Sequence, residues 1–188
     1  VVCIGNIFIG GTGKTPLSIY LLNQLKHKKK AVIIKKFYKE HIDEHKLIEA
    51  NTTHLILNKK RVEALKEAQE RKFDLAILDD GFQDYSIIKD LNILCFNSKQ
   101  LVGNNMVFPS GPLREKISSL KNAQIIVING DKNNDFEKKI LDISENISIF
   151  YTKYIPSNVT QFKNKGLLAF AGIGNPENFF DILKINNL

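Results

Sequence analysis

The sequence predicts an α/β fold in which a mostly parallel β-sheet is flanked by helices. Short runs of branched apolar residues, each suited to one buried strand, alternate along the chain with segments of helical periodicity. A glycine-rich turn joins the first apolar run to the first helical segment. Of the 188 residues, 43% are hydrophobic, which is sufficient for the core of an ordinary domain.

The glycine-rich turn has the composition of a phosphate-binding loop. It follows the apolar residues 1–4 and precedes a helix that we predict for residues 15–28. Glycines let backbone N–H groups turn toward an anion, and the helix directs its positive end to the same point. Lys14 can contact the outer phosphates, and the Thr15 hydroxyl can ligate Mg²⁺. The residues predicted to bind the nucleotide are Gly10, Gly11, Thr12, Gly13, Lys14 and Thr15.

This loop departs from the strict pattern G-x-x-x-x-G-K-[ST] at one position, because Phe8 occupies the place of the first glycine. Gly10 and Gly11 can supply the flexibility instead. The alternative interpretation is an ordinary glycine-rich turn with a surface lysine. Because the loop, the Lys-Thr pair and both flanking elements agree, the pattern favours nucleotide binding.

An acidic pair follows one of the later predicted strands. Residues 74–78 form an apolar run that ends at Asp79 and Asp80, and a carboxylate in that place can hold Mg²⁺ directly or through water. A turn capped by aspartate is the alternative, and the sequence leaves open which of the two carboxylates is the direct ligand. Further strands are predicted at residues 31–34, 54–57, 91–96 and 123–128.

Two segments after the acidic pair bear on function. Residues 109–115 (Pro-Ser-Gly-Pro-Leu-Arg-Glu) contain two prolines and a glycine, which fix the shape of a loop that presents Arg114 and Glu115. Residues 129–132 (Asn-Gly-Asp-Lys) do not match the N-K-x-D pattern of guanine recognition, which counts against a GTPase.

The domain organisation that we predict has three parts: a core over residues 1–150, a linker ribbon over 151–165, and the start of a second, smaller α/β lobe over 166–188. In this interpretation residues 148–154 form an exposed ribbon and residues 166–171 a new strand. A second glycine-rich turn at 172–176 then leads into a last helix. Because this unit has only begun at residue 188, we expect the chain to be cut there.

The charge of the chain favours anionic partners. The formal net charge is +7, and lysines cluster at residues 26–30, 35–39 and 59–60. Nucleotides, nucleic acids and acidic lipid headgroups all fit such charge, although a solvated lysine-rich surface fits each single run as well. Aromatic residues do not interleave with the lysines, which counts against nucleic acid. No apolar run approaches membrane-spanning length, and Cys3 and Cys95 are expected to be buried thiols.

Four motifs, taken together and in this order, resemble the tetraacyldisaccharide 4'-kinase (lipid A 4'-kinase) family. They are residues 5–16, 79–83 (Asp-Asp-Gly-Phe-Gln), 109–115 and 169–176 (Ala-Phe-Ala-Gly-Ile-Gly-Asn-Pro). The phosphate loop alone is generic, whereas the other three are specific in combination. The resemblance runs over almost the whole chain.

The resemblance implies a P-loop NTPase-like core and a reaction. ATP with Mg²⁺ would phosphorylate the 4'-hydroxyl of an acylated glucosamine disaccharide 1-phosphate, an anionic glycolipid, at the cytoplasmic face of the bacterial inner membrane. It implies that Lys14 contacts the phosphates, that Thr15 with Asp79 or Asp80 holds Mg²⁺, and that Arg114 and Glu115 lie near nucleotide and metal. The family's Gly-Asp-Glu-Pro motif corresponds to residues 42–45, which makes Asp43 the candidate base.

The chain departs from the family at several places. Residues 35–38 read Lys-Lys-Phe-Tyr in place of Ser-Arg-Gly-Tyr, Ile42 and His45 flank the acidic pair in place of glycine and proline, and Asp84 replaces a histidine. Two other functions stay open from the residues alone. One is a P-loop switch ATPase that binds a partner or a membrane, and the other is a non-catalytic nucleotide-binding remnant.

Overall fold

The fold is a seven-stranded, entirely parallel sheet with the strand order β3-β2-β4-β1-β5-β6-β7. The computed structural model describes residues 1–156, 158–172 and 176–188. The predicted α/β class is therefore confirmed. The strands are β1 (Val2–Gly5), β2 (Ala31–Lys36), β3 (Leu55–Asn58), β4 (Leu75–Asp79), β5 (Leu91–Asn97), β6 (Ile125–Asn129) and β7 (Ser148–Thr152).

Helices cover both faces of this sheet, and a separate apolar cluster fills the space on each side. Phe96 is fully buried in one cluster and Ile33 in the other. Cys3 and Cys95 are buried free thiols, as expected. The α-helices are α1 (Lys14–Leu25), α2 (Ile42–Asn51), α3 (Arg61–Glu70), α4 (Asn134–Leu141) and α5 (Pro176–Ile185). Among the described residues, no helix combines the length and the apolar character needed to cross a bilayer.

The strand order brings the candidate site residues to one edge of the sheet. β1 lies between β4 and β5, and the loop after it leads directly into α1. In the register of the parallel strands, Asp79 at the end of β4 pairs with Ile4 of β1 on one side and with Lys35 of β2 on the other. Ligands of open parallel sheets bind at this carboxyl edge.

The second strand and the helix after it differ from the prediction. The strand predicted at residues 31–34 is longer in the structure: β2 continues through Lys36 and is buried up to Lys35. The helix α2 was not predicted, because it follows a run of charged residues and its first turn has the composition of a polar loop. Its buried side chains are His45 and Ile48. A charged residue within a buried strand end is stabilised here by a partner on the neighbouring strand, which single-sequence periodicity does not detect.

The last forty residues also differ in part. The predicted ribbon is β7, an edge strand parallel to β6 in which exposed and half-buried residues alternate. The strand predicted for residues 166–171 is absent from the described structure: this segment pairs with no other strand, and Leu168 and Phe170 are largely exposed. Of the predicted turn at 172–176, residues 173–175 lie outside the described residues. The last helix begins at Pro176, as predicted.

Candidate active site

The phosphate loop is braced from inside by a buried asparagine. The side chain of Asn6 is fully buried, and its amide donates hydrogen bonds to the carbonyl oxygen of Phe8 at 2.6 Å and to the hydroxyl of Thr12 at 3.0 Å. Since Asn6 spans the loop, the loop's shape is set without bound ligand. Asn6 belongs to the glycine-rich stretch, but the sequence alone does not predict that it braces the loop.

Phe8 serves as the anchor of the loop. Its side chain is buried, and its backbone forms an antiparallel bridge with Leu113. The amide of Ile9 donates to the carbonyl of Pro112 at 2.8 Å, and the amide of Arg114 donates to the carbonyl of Ile7 at 2.7 Å. The proline-rich loop therefore packs along the phosphate loop and delivers Arg114 to the site, as its fixed shape suggested.

Glycine is required where the loop enters α1. Gly13 has φ 94°, in the left-handed region, and a Cβ atom there would lie 3.2 Å from the Tyr154 hydroxyl. The helix begins at the next residue, Lys14, so that its free N–H groups face the loop. Thr15 follows on the face of the helix that is turned toward the sheet.

Asp79 is fully buried at the end of β4 and accepts three hydrogen bonds. Thr15 Oγ1 donates to Oδ2 at 2.9 Å, Lys35 Nζ donates to the same oxygen at 2.7 Å, and Ser18 Oγ lies 3.3 Å from Oδ1. Burial alone would lower the pKa of Lys35, but Asp79 and hydrogen bonds to Asp79 and Glu44 outweigh burial and raise that pKa above its usual value. The three donors therefore hold the Asp79 carboxylate in one orientation.

Asp80 lies in a different environment from its neighbour. Its φ of 59° turns the chain at the end of the strand, and its Oδ1 is 2.8 Å from a guanidinium nitrogen of Arg114 and 3.7 Å from Lys14 Nζ. Burial would raise the pKa of Asp80, but the charges of Lys14 and Arg114 hold it below the usual aspartate value. The two predicted cations are thus both directed at one carboxylate.

A cavity of about 790 Å³ opens above the phosphate loop and is lined by residues 10–16 together with Lys35, Glu44, Asp80, Arg114 and the α5 side chains Phe179 and Ile182. Glu44 Oε2 lies 2.7 Å from Lys35 Nζ. Around this cavity three cations, Lys14, Lys35 and Arg114, face three carboxylates, Asp79, Asp80 and Glu44.

A second, largely apolar cavity of about 430 Å³ adjoins the first on the other side of Gly13 and Tyr154. Pro16, Leu17 and Tyr20 of α1 form one wall, and Asn129 at the end of β6 contributes a polar group. The size and lining are typical of a pocket for a mostly apolar group with a few polar atoms.

Two of the predicted site residues lie apart from this cluster. Asp43 is exposed in the first turn of α2, and it is the adjacent Glu44 that lines the cavity. Glu115 accepts a hydrogen bond from the Tyr85 hydroxyl at 2.9 Å and lines a separate surface cavity with Gln83. The structure therefore brings together Lys14, Thr15, Asp79, Asp80 and Arg114, with Asp43 and Glu115 at the periphery.

The comparisons with known proteins address this geometry. The family model described as "Tetraacyldisaccharide-1-P 4'-kinase" (LpxK) matches residues 1–188. The chain belongs to this family. A tetraacyldisaccharide 4'-kinase from Pelagibacter ubique is 45% identical over all of this chain and 60% of its own length. One from Shewanella pealeana is 32% identical over 98% of this chain and 61% of its own length. The chain thus spans about three fifths of these curated relatives.

Solved structures support the fold. LpxK from Aquifex aeolicus, crystallised in complex with ATP, superposes with a TM-score of 0.60 at 20% sequence identity, over 89% of this chain and 74% of that one. The hydrogenase maturation factor HypB from Archaeoglobus fulgidus gives a TM-score of 0.56 at 12% identity, over 100% of this chain and 91% of its own. At these identities the likeness concerns architecture alone.

The donor atoms of this LpxK-family chain suit Mg²⁺, provided that a nucleotide shares in holding it. Thr15 and Asp79 offer hard oxygen donors beside the phosphate loop. No group of three or more His, Cys, Asp or Glu side chains that could hold a metal occurs among the described residues. Since Mg²⁺ in kinases is bound by one or two protein oxygens, substrate phosphates and waters, this sparse donor set fits it.

The sequence did not predict the role of Lys35, which it presents only as a member of a lysine cluster. Its side chain is only 6% exposed and lies between Asp79 and Glu44. The position of Lys35 in the sequence could have indicated this role. The lysine directly follows a buried apolar run, on the strand that pairs with the acidic strand in the parallel sheet. Glu44 was passed over for Asp43 because the family motif drew attention to the aspartate.

Proposed function

We propose that this chain forms the nucleotide-binding core of a kinase. The enzyme would transfer the γ-phosphoryl group of ATP to the 4'-hydroxyl of a tetraacylated glucosamine disaccharide 1-phosphate. The observation that carries the proposal is the convergence of Lys14, Thr15, Asp80 and Arg114 on one cavity above the phosphate loop, with Asp79 buried directly behind Thr15. Membership of the family supplies the acceptor.

The chain's residues would divide the work of phosphoryl transfer as follows. The backbone of the loop and Lys14 would hold the outer phosphates, since positioning and charge neutralisation supply most of the catalysis in this reaction. Arg114, released from Asp80, would stabilise charge on the transferred group. Bound Mg²⁺ would neutralise the charge that develops on the phosphate oxygens, with Thr15 and Asp79 or Asp80 among the residues that hold it.

The nucleobase would occupy the apolar cavity beside Tyr154. That cavity adjoins the phosphate loop and lies at the carboxyl ends of β6 and β7, where Asn129 can hydrogen-bond to an edge of the ring. Thus the two cavities would hold the two ends of ATP, with Gly13 between them.

The acceptor hydroxyl requires a group that accepts its proton. We propose Asp43 for this role on the basis of the family motif, and we propose Glu115 as an outer residue of the metal site on the same basis. Glu44 is the competing base, because it lines the cavity whereas Asp43 is exposed. A base must come within hydrogen-bond reach of the hydroxyl, so substrate binding decides between them.

The enzyme would act as a peripheral protein on the cytoplasmic face of the inner membrane, where its glycolipid substrate resides. The net charge of +7 would favour both the anionic substrate and an anionic leaflet. We infer no nucleic-acid partner.

Phosphate transfer from labelled ATP to a tetraacylated disaccharide 1-phosphate tests the proposal, with the full-length protein and its Asp43→Asn and Glu44→Gln variants. We expect transfer by the parent and a reduction of about 100-fold or more in the variant that lacks the base. ATP hydrolysis without any transfer would instead indicate a switch ATPase, and ATP binding without turnover would indicate a non-catalytic remnant.

A further inference from the structure

Lys35 occupies a position that neither the proposed chemistry nor the family motif explains. It is buried at the end of β2 and contacts carboxylates on two different elements. Its register partner on the adjacent strand is Asp79, so both side chains leave the same face of the sheet.

The contacts of its ammonium group are short and point in two directions. Nζ lies 2.7 Å from Asp79 Oδ2 and 2.7 Å from Glu44 Oε2. The same Asp79 oxygen accepts the hydrogen bond of the Thr15 hydroxyl. One lysine therefore joins the phosphate and metal side of the site to the first turn of α2, where Asp43 and Glu44 lie.

The burial of this group argues against an incidental surface pair. Asp79 is fully buried and the Lys35 side chain is 6% exposed, whereas the Glu44 side chain is 43% exposed. A buried ion pair is weak evidence for stability, since apolar residues of similar volume often stabilise as well. The contribution of Lys35 is geometric, because an ammonium group held by two carboxylates fixes the distance between them.

From these contacts we propose that Lys35 is a positioning residue that couples helix α2 to the nucleotide side of the site. When nucleotide and Mg²⁺ engage Thr15 and Asp79, the change would be carried through Lys35 to Glu44 and would order the first turn of α2. This inference rests on the proposed function for its purpose, which is to align the acceptor side only when ATP is in place.

Amide hydrogen exchange of the full-length protein tests the coupling without any phosphate transfer. Exchange is measured for peptides covering residues 42–51, with and without saturating Mg²⁺ and a non-hydrolysable ATP analogue. We expect the analogue to slow exchange in α2 of the wild-type protein at least threefold. In Lys35→Met the analogue should still bind, but α2 should no longer respond.

Two further variants guard against a folding defect in Lys35→Met. Glu44→Gln breaks the same bridge at its half-exposed end, and it should abolish the response of α2 equally. The double variant should lose no more of the α2 response than either single variant, because both substitutions remove the same Lys35–Glu44 interaction. Matched controls are Lys36→Met on the same strand and Glu49→Gln on the exposed face of α2, which should both retain the response.

The results separate this inference from the function. A response of α2 that persists in folded Lys35→Met and Glu44→Gln proteins overturns the coupling, whatever the enzyme does. A response lost in both variants supports the coupling even where no lipid is phosphorylated, in which case only the proposed acceptor is wrong. The coupling is also overturned if bound nucleotide does not change the hydrogen exchange of α2 in the wild-type protein.

Discussion

The two ends of helix α1 carry positive charge in opposite ways. At the amino end, Lys14 is 11% exposed and faces Asp80 inside the phosphate cavity. At the carboxyl end, the lysines of residues 26–30 are exposed in a turn at the opposite edge of the sheet. The twelve residues of the helix separate the two ends by about 18 Å.

The helix dipole accounts for the different surroundings of these lysines. Cations are favoured at a helix carboxyl end and disfavoured at its amino end. The exposed lysines therefore need no further partner. Lys14 is disfavoured by the dipole, and the negative charge of Asp80 and, by our proposal, of a bound phosphate offsets that repulsion. A charge placed where local electrostatics opposes it is the better indicator of function.

The largest effect should come from removing the charge at the amino end. We expect Lys14→Met to reduce phosphate transfer by about 100-fold or more, since a preorganised cation at the transferred group is lost. Lys28→Met removes the same charge at the other end of the helix and should leave transfer unchanged. Equal losses in both variants would show that net charge, rather than position, supports the reaction.

Substitution of Asp79, at the same edge of the sheet as Lys14, should lower the free energy of unfolding. Replacing it with asparagine leaves Lys35 buried with only Glu44 as a charged partner, and loss of one partner of a buried pair costs about 3 kcal/mol. Urea unfolding without nucleotide measures the change in the free energy of unfolding. Asp131→Asn, which breaks an exposed pair with Lys153, is the control and should show no measurable change.

Two glycines of the phosphate loop form a matched pair of variants with a smaller expected effect on stability. Gly13→Ala forces a side chain into φ 94° and toward the Tyr154 hydroxyl, and it should cost about 1–2 kcal/mol of stability. Gly11→Ala meets no atom within 4 Å and has no positive φ, so stability should not fall. Thermal unfolding checks both, and equal destabilisation would contradict the conformational argument.

How far the sequence predicted this site depends on the range of the interactions. Lys14, Thr15 and their loop were predicted because the whole unit lies within sixteen contiguous residues. Asp79 and Asp80 were predicted as a pair, but their different environments were not. Asp79 meets Lys35 across 44 residues and Asp80 meets Arg114 across 34, and such pairings arise only once the strand order is set.

The fold shows the same limit. Buried strands and helix α1 were predicted, whereas α2 was not, because its first turn follows a run of charged residues and has the composition of a polar loop. The apolar residues 166–171 were predicted as a strand, yet a strand forms only where another offers its hydrogen-bonding edge. Local composition cannot supply that information.

Acid titration should distinguish Asp80 from an ordinary carboxylate. Lys14 and Arg114 keep its pKa below the usual aspartate value of about 3.9. Its contribution to stability is therefore fully present above about pH 4 and is lost as the pH falls through the lowered pKa of the folded state. In Arg114→Met the pKa of Asp80 should rise, so that its contribution to stability becomes smaller and its loss is complete at a higher pH. Carboxyl NMR titration of both proteins measures this, and an unchanged pKa would assign the shift to Lys14 alone.

The last prediction concerns the lysine-rich turn at the carboxyl end of α1. If the turn faces an anionic membrane, each basic residue near the surface contributes about 1 kcal/mol to binding. Lys28→Glu with Lys29→Glu should then weaken binding to vesicles that contain anionic lipid. Lys30 is best left in place, because its side chain donates to the carbonyl of Arg71 at 2.6 Å.

The same double variant separates membrane binding from nucleotide binding. About 18 Å of helix exceeds the Debye length of about 8 Å at physiological salt, so exposed charges at this end are screened from the phosphate cavity. ATP affinity should therefore be unchanged. Vesicle binding that also stays unchanged would mean that the turn is a solvated surface and that the membrane contact lies elsewhere, with the charged cluster at the amino end still sufficient for the chemistry.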